Sequence, residues 1–131
     1  MKVVLDTNSI VSAFINPKGA PGDILSLVLS KKITICYDNK IFSEYVEILK
    51  KSKFNFDTIL VDEFLDFIKD NGEYIIVEPQ KARFDDEDDK AFYDVYKSSD
   101  AKYIITGNKK HFPKEKNIIT PREYIELNYE V

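Results

Sequence analysis

Five short apolar runs punctuate this chain, and none exceeds five residues: 3–5, 33–37, 74–77, 103–105 and 118–119. Between them lie longer segments with apolar residues three and four apart. Runs this short and apolar on both alternating faces read as strands buried on both sides, with the intervening helices as their cover. The alternation predicts an α/β fold with a mainly parallel central sheet flanked by helices in three layers. No repeat, low-complexity tract or linker divides it, so one domain over residues 1–131 is expected.

The first run stops at Asp6-Thr7-Asn8, three residues that all cap helices well. Ile10, Val11 and Phe14 then mark a short helical face. A second helix is predicted over 21–30, with Ile24, Leu25, Val28 and Leu29 inward and Pro21 near its start. Asp38 or Asn39 is expected to cap a third helix running to about Lys51, with Ile41, Tyr45, Ile48 and Leu49 at helical spacing. A fourth is read from Asp57 to Lys69 on the spacing of Ile59, Leu60, Phe64, Leu65 and Ile68, ended by Asn71-Gly72. The acidic run Asp85 to Asp89 opens a fifth helix that reaches about Lys97, where acids suit the helix dipole. Thr120-Pro121-Arg122-Glu123 is a capping box with proline at the first helical position, and it starts a last helix of about eight residues.

Composition narrows the function. With 44% hydrophobic residues the chain can bury a core, so whole-chain disorder is excluded. The net charge of −4 argues against tight nonspecific nucleic-acid binding. Only Arg83 and Arg122 are arginine among 19 basic residues, so bidentate phosphate forks are scarce. A lone cysteine, Cys36, rules out an internal disulfide and points to a reducing, cytoplasmic compartment; its strand-like setting predicts a small buried hydrophobe. No apolar run is long enough to span a membrane, and Met1-Lys2 leads straight into Val3, which leaves no room for a signal peptide. One histidine, His111, and one cysteine exclude a soft or mixed zinc site.

In an open parallel sheet, residues at strand ends gather at the carboxyl edge, where ligands bind. Asp6 follows the first strand and is either a helix cap or a rigidly held ligand. Glu44, beside the apolar face of the third helix, is a candidate second carboxylate, with Glu47 as its neighbouring rival. Among the five consecutive acids, Asp89 lies three residues before Phe92 on the inward side and is the best inward candidate. Asp88 is the weaker one, and Asp85 is a candidate cap. Thr106-Gly107-Asn108 closes the fourth strand: Thr106 can donate to a phosphate or carboxylate, and Asn108 can hold a water. Asn8 can orient Asp6 or simply form the turn. Lys109 and Lys110, followed by Lys114 and Lys116, form the one basic cluster and adjoin these groups. Three carboxylates and an amide brought together would make an oxygen-only site for a hard divalent ion.

Four pieces of sequence, taken in order, resemble the PIN-domain family: Val3-Val4-Leu5-Asp6-Thr7-Asn8, Ser43-Glu44, Asp86-Glu87-Asp88-Asp89-Lys90-Ala91-Phe92, and Tyr103 through Phe112. Within that family the chain is most similar to the bacterial VapC-like toxins of toxin–antitoxin pairs. The resemblance implies that Asp6, Glu44 and Asp89 bind Mg²⁺ or Mn²⁺ and position a water for attack on an RNA phosphodiester. Asn108 would complete the catalytic set, and Asn8, Thr106, Lys109 and Lys110 would hold substrate or water around it. The family commonly carries a further aspartate in the segment that here offers Asn108. The resemblance also implies a cognate antitoxin and a homodimer. Two other readings fit the residues: a PIN-like nucleic-acid-binding or regulatory protein with weak or no catalysis, and a phosphotransferase with Asp6 as nucleophile, whose first motif would lack its second aspartate.

Overall fold

The computed structural model describes residues 1–128. Five parallel strands form one sheet: β1 (Lys2–Leu5), β2 (Thr34–Tyr37), β3 (Glu73–Tyr74), β4 (Tyr103–Ile105) and β5 (Ile118–Ile119). They lie in the order β3-β2-β1-β4-β5. Val3, Val4, Ile104 and Ile105 are wholly buried, as central parallel strands covered on both faces require. Six helices supply the cover: α1 (Thr7–Ile15), α2 (Ala20–Leu29), α3 (Asn39–Leu49), α4 (Thr58–Asn71), α5 (Glu87–Ser98) and α6 (Pro121–Asn128). A 3₁₀ turn, Lys109–His111, joins β4 to the segment before β5. Helix α5 packs against β1, β2 and β4, while α1 and α6 each pack against α2. Among the described residues no helix is long and apolar enough to cross a membrane.

The order of the strands decides where a crevice forms. From β1 the chain turns toward β2, and from β4 it turns the other way, toward β5. The connections after these two neighbouring strands therefore diverge, and a cleft opens at their carboxyl ends. Asp6 and Thr106 are the first residues beyond those ends. Their backbones continue the ladder, with the Asp6 N–H donating to the Ile105 carbonyl at 3.1 Å and the Thr106 N–H to Ile119 at 2.8 Å.

Helix starts follow local side-chain chemistry. Asp38 rather than Asn39 caps α3, accepting from the Ile41 N–H at 2.9 Å. Asp57 caps α4. Asp86, not Asp85, caps α5 through the Asp88 N–H. The capping box is formed in both directions: Thr120 Oγ1 accepts from the Glu123 N–H at 3.1 Å, and Glu123 Oε1 accepts from the Thr120 N–H at 3.0 Å. Cys36 is fully buried, and burial pushes its thiol up to about 11, which makes it inert.

Three expectations from periodicity change. β3 is two residues long instead of four, because Ile76 on this edge strand is 83% exposed and the pairing ends after the Ile75 N–H donates to Tyr37. Helix α3 stops at Leu49 rather than near Lys51. Leu29 of α2 and Ile59 and Leu60 of α4 are exposed, so those helices have apolar stripes wider than the core they cover. Aromatic contacts nonetheless tie α1 to α4, with the Phe14 and Phe64 rings edge to face at 5.7 Å.

Close approach at Gly22 holds α2 to the loop before it. A Cβ there would lie 2.1 Å from the Pro17 carbonyl oxygen, whereas at Gly19 the nearest atom is an ordinary 3.5 Å away. Gly22→Ala is expected to destabilise the fold by about 2–3 kcal/mol, lowering the melting temperature by roughly 10 °C. Gly19→Ala should cost no more than about 1 kcal/mol. Thermal denaturation of the two variants checks this; equal melting temperatures would contradict the packing.

Candidate functional site

Asp6 serves two partners with its two oxygens. Oδ1 accepts from the Ser9 N–H at 2.8 Å and caps α1. Oδ2 accepts from the Thr106 hydroxyl at 2.5 Å, across the cleft from the end of β4. Thr106 Oγ1 in turn accepts from the Asn108 N–H at 3.0 Å, which shapes the turn through Gly107. The cap reading of Asp6 holds, and capping fixes the carboxylate in place. Each carboxylate oxygen keeps a further lone pair. Asp6 is only 6% exposed, and burial raises its pKa above the ordinary value, opposed by the hydrogen bonds from Ser9 and Thr106. The Ser9 hydroxyl is a buried side-chain oxygen with no hydrogen-bond partner among the described residues. It lies near enough to Asp6 to favour the ionised carboxylate, yet short of hydrogen-bond geometry.

Glu44 reaches the same region from α3. Its Oε2 accepts from the hydroxyl of Thr7, the residue after Asp6. Its neighbour Tyr45 is fully buried and donates to the Leu5 carbonyl at 2.5 Å, on the other side of Asp6. Two consecutive residues of α3 therefore grip the end of β1, which sets where Glu44 lies relative to Asp6. Burial raises the Glu44 pKa, and the charges of Asp88, Asp89 and Asp86 add to the rise.

Asp89, half-buried on α5, stands close enough to feel Asp6. Burial raises its pKa first, and repulsion by Asp86, Asp6 and Asp88 contributes, while His111 pulls it back. His111 Nδ1 lies 3.4 Å from Asp89 Oδ2. Asp88 is exposed and lines a cleft with Glu44 and Glu47, whereas Asp89 lines a different cleft with His111 and Lys110. Asp89 is thus within electrostatic reach of both Asp6 and Glu44. Among the described residues, however, no three acidic, histidine or cysteine side chains are near enough to hold one metal ion together.

The remaining candidates are dispersed. Asn108 is half-buried, and its side chain does not cap the 3₁₀ turn. Asn8 is exposed on the opposite flank, in a cleft with Ser9, Gly107 and Arg122. Lys109 Nζ is held by Glu123 at 2.9 Å. Lys110 lies beside Asp89 in its cleft. Thr7, Ser9 and Tyr45 were not singled out from sequence. For Thr7 and Tyr45 the partners lie 37 and 40 residues away, beyond any local pattern; for Ser9 the cap spacing from Asp6 was a usable signal.

A parallel sheet with a buried carboxylate at its switch point, and two further carboxylates on separate helices around it, defines an acid-centred α/β protein. The PIN domain family model matches residues 2–110, and the chain belongs to that family. An uncharacterized protein of Methanocaldococcus jannaschii is 32% identical over 141 aligned positions, covering 96% of this chain and 90% of the relative. The PIN domain is a nuclease-type fold, generally that of divalent-metal-dependent ribonucleases. An oxygen-only donor set suits a hard cation of that kind. The donors fit by chemistry and by their mutual repulsion, with water or substrate oxygens needed to complete the coordination.

The raised Glu44 pKa carries a stability consequence. Its folded-state pKa lies above the ordinary 4.5, so the native state binds more protons in that window and stability falls as pH rises through it. Glu44→Gln keeps an oxygen for Thr7 and removes the charge. In EDTA the variant should melt with wild type at pH 4 and about 2–4 °C above it at neutral pH. Parallel melting curves at all pH values would contradict the repulsion.

Proposed function

We propose that this protein is a Mg²⁺- or Mn²⁺-dependent endoribonuclease. The single observation that carries the reading is the clamped carboxylate of Asp6, fixed by Ser9 and Thr106 at the switch point of the sheet, with Asp89 in electrostatic reach of it and of Glu44. A bound divalent ion would polarise the phosphoryl group and stabilise charge on the leaving oxygen. The chain's own residues do the rest. Asp6 and Asp89 would hold the ion, directly or through water. Thr106 keeps Asp6 in one rotamer and donates no proton of its own. Glu44, steadied by Thr7, orients the attacking water, and its raised pKa suits it to accept the water's proton. Asn108, in place of an acid, contributes a neutral oxygen or holds a water, which favours one ion over two.

A toxin role with a cognate antitoxin, a homodimer and a cytoplasmic location belong to the same proposal. An apolar cleft of about 440 Å³ beside Phe14, Leu25, Leu29, Leu60 and Phe67 supports protein partnership. A PIN-like RNA-binding protein with little catalysis is the second reading, favoured by the separation of the carboxylates beyond three-ligand distance. A phosphoryl-enzyme on Asp6 is disfavoured, because the side chain is buried and both oxygens already accept hydrogen bonds.

With Mn²⁺ and a 5′-labelled single-stranded RNA, the wild type is expected to cleave and EDTA to stop it. Asp6→Asn should lower kcat by more than about 100-fold, and Thr106→Val, acting through Asp6, by about 10- to 100-fold. Circular dichroism checks that both variants are folded. A wild type that leaves RNA intact under these conditions would favour the second reading.

A further inference from the structure

The acid centre has an electrostatic difficulty that a neighbouring surface answers. Asp6, Glu44, Asp86, Asp88 and Asp89 repel a polyanionic strand, and the chain as a whole is negative. Two adjoining clefts lie on the side where the chain leaves β4. One, of about 530 Å³, carries Asp85, Asp86 and Asp89 on its acidic side and Arg83, Lys110 and His111 opposite in charge, so it belongs to the rim of the acid centre. The next, of about 640 Å³, is lined by Lys109, Lys110, Lys114 and Lys116, with Glu115 as its acid. Lys110, Phe112 and Pro113 border both, so the two form a continuous path.

Charge pairing sharpens the pattern. Glu115 is satisfied from the α5 side, with Lys97 at 2.9 Å and the Tyr93 hydroxyl at 2.5 Å. Lys109 is occupied by Glu123. Lys110, Lys114 and Lys116 are exposed and make no ion pair among the described residues. Three uncommitted ammonium groups thus line a path that begins at Asp89, and a field of that sign raises the local concentration of phosphates beside an acidic centre.

We infer that a single-stranded RNA backbone leaves the acid centre past Lys110 and lies in the Lys114–Lys116 cleft, where phosphates flanking the scissile one are bound. This rests on the ribonuclease reading for its substrate, but the cleft binds backbone without the metal. Lysine point charges read phosphate and not base, so binding here is independent of sequence and sensitive to salt.

The test is fluorescence anisotropy of a labelled oligouridylate in EDTA over a NaCl series. Wild type is compared with Lys114→Gln/Lys116→Gln and with Lys31→Gln/Lys32→Gln, an equal charge change in the turn before β2, a strand that β1 and β4 separate from β5. The cleft variant is expected to bind about tenfold or more weakly at 0.1 M NaCl, with a salt slope lower by about 1.4, at roughly 0.7 per phosphate contact. The control pair should bind as wild type. Equal weakening of both pairs, an unchanged cleft variant, or a wild type that cleaves RNA yet does not bind it in EDTA would each overturn the inference. Cleavage with Mn²⁺ in the same samples separates the two ideas. Retained cleavage with an unaltered cleft variant removes the cleft alone, and cleft-dependent binding without cleavage removes the nuclease alone.

Discussion

The hydrogen bond from Thr106 to Asp6 is the contact on which the site depends. It joins the ends of two adjacent parallel strands whose connections diverge, at the one place where the topology opens a crevice. An aspartate this buried would ordinarily pay in desolvation and turn away or stay protonated. Donors from Ser9 and Thr106 favour its ionised form and leave lone pairs free. The central strands are buried and apolar over Val3–Leu5 and Tyr103–Ile105 and paired in register, so this carboxylate is positioned by the core and not by a loop.

From that anchor the other acids acquire meaning. Tyr45 and Thr7 bind α3 to the end of β1 from both sides of Asp6, which brings Glu44 toward the crevice. α5 lies across β1, β2 and β4 and begins with the acidic run, so Asp89 comes within electrostatic reach of Asp6 while Asp86 is used as the cap. Asp94, also on α5 and buried, shows the contrast: it is neutralised by Lys90 at 2.9 Å and accepts from the Gln80 N–H, and it belongs to packing. Repulsion among the crevice carboxylates is the physical cost that a cation would relieve, and the lysine path beyond Asp89 offsets it for a polyanion.

Much of this was legible in sequence wherever the signal was local. The ends of β1 and β4, the Thr120–Glu123 capping box and the fold class all rest on short-range chemistry, and the structure agrees with them. Asp6 and Thr106 could be marked as strand-end residues, but their pairing across 100 residues could not. Helical spacing found α2 and α4 yet assigned Leu29 to the interior and did not mark Ile59 and Leu60 as exposed, because periodicity defines a face and not what covers it. The length of β3 was overestimated for a related reason: an apolar run on an edge strand need not pair throughout. Lys109 looked identical to Lys110 in sequence, and only the arrival of α6 separates them, through Glu123.

The most direct measurement is calorimetric titration of Mn²⁺ into the protein without RNA, beside Asp6→Asn with its folding checked. Saturable binding to the wild type that is lost in the folded variant is the predicted result. Equal heats from both proteins would contradict Asp6 as the anchor of a divalent-ion site, as would no binding to either up to millimolar Mn²⁺.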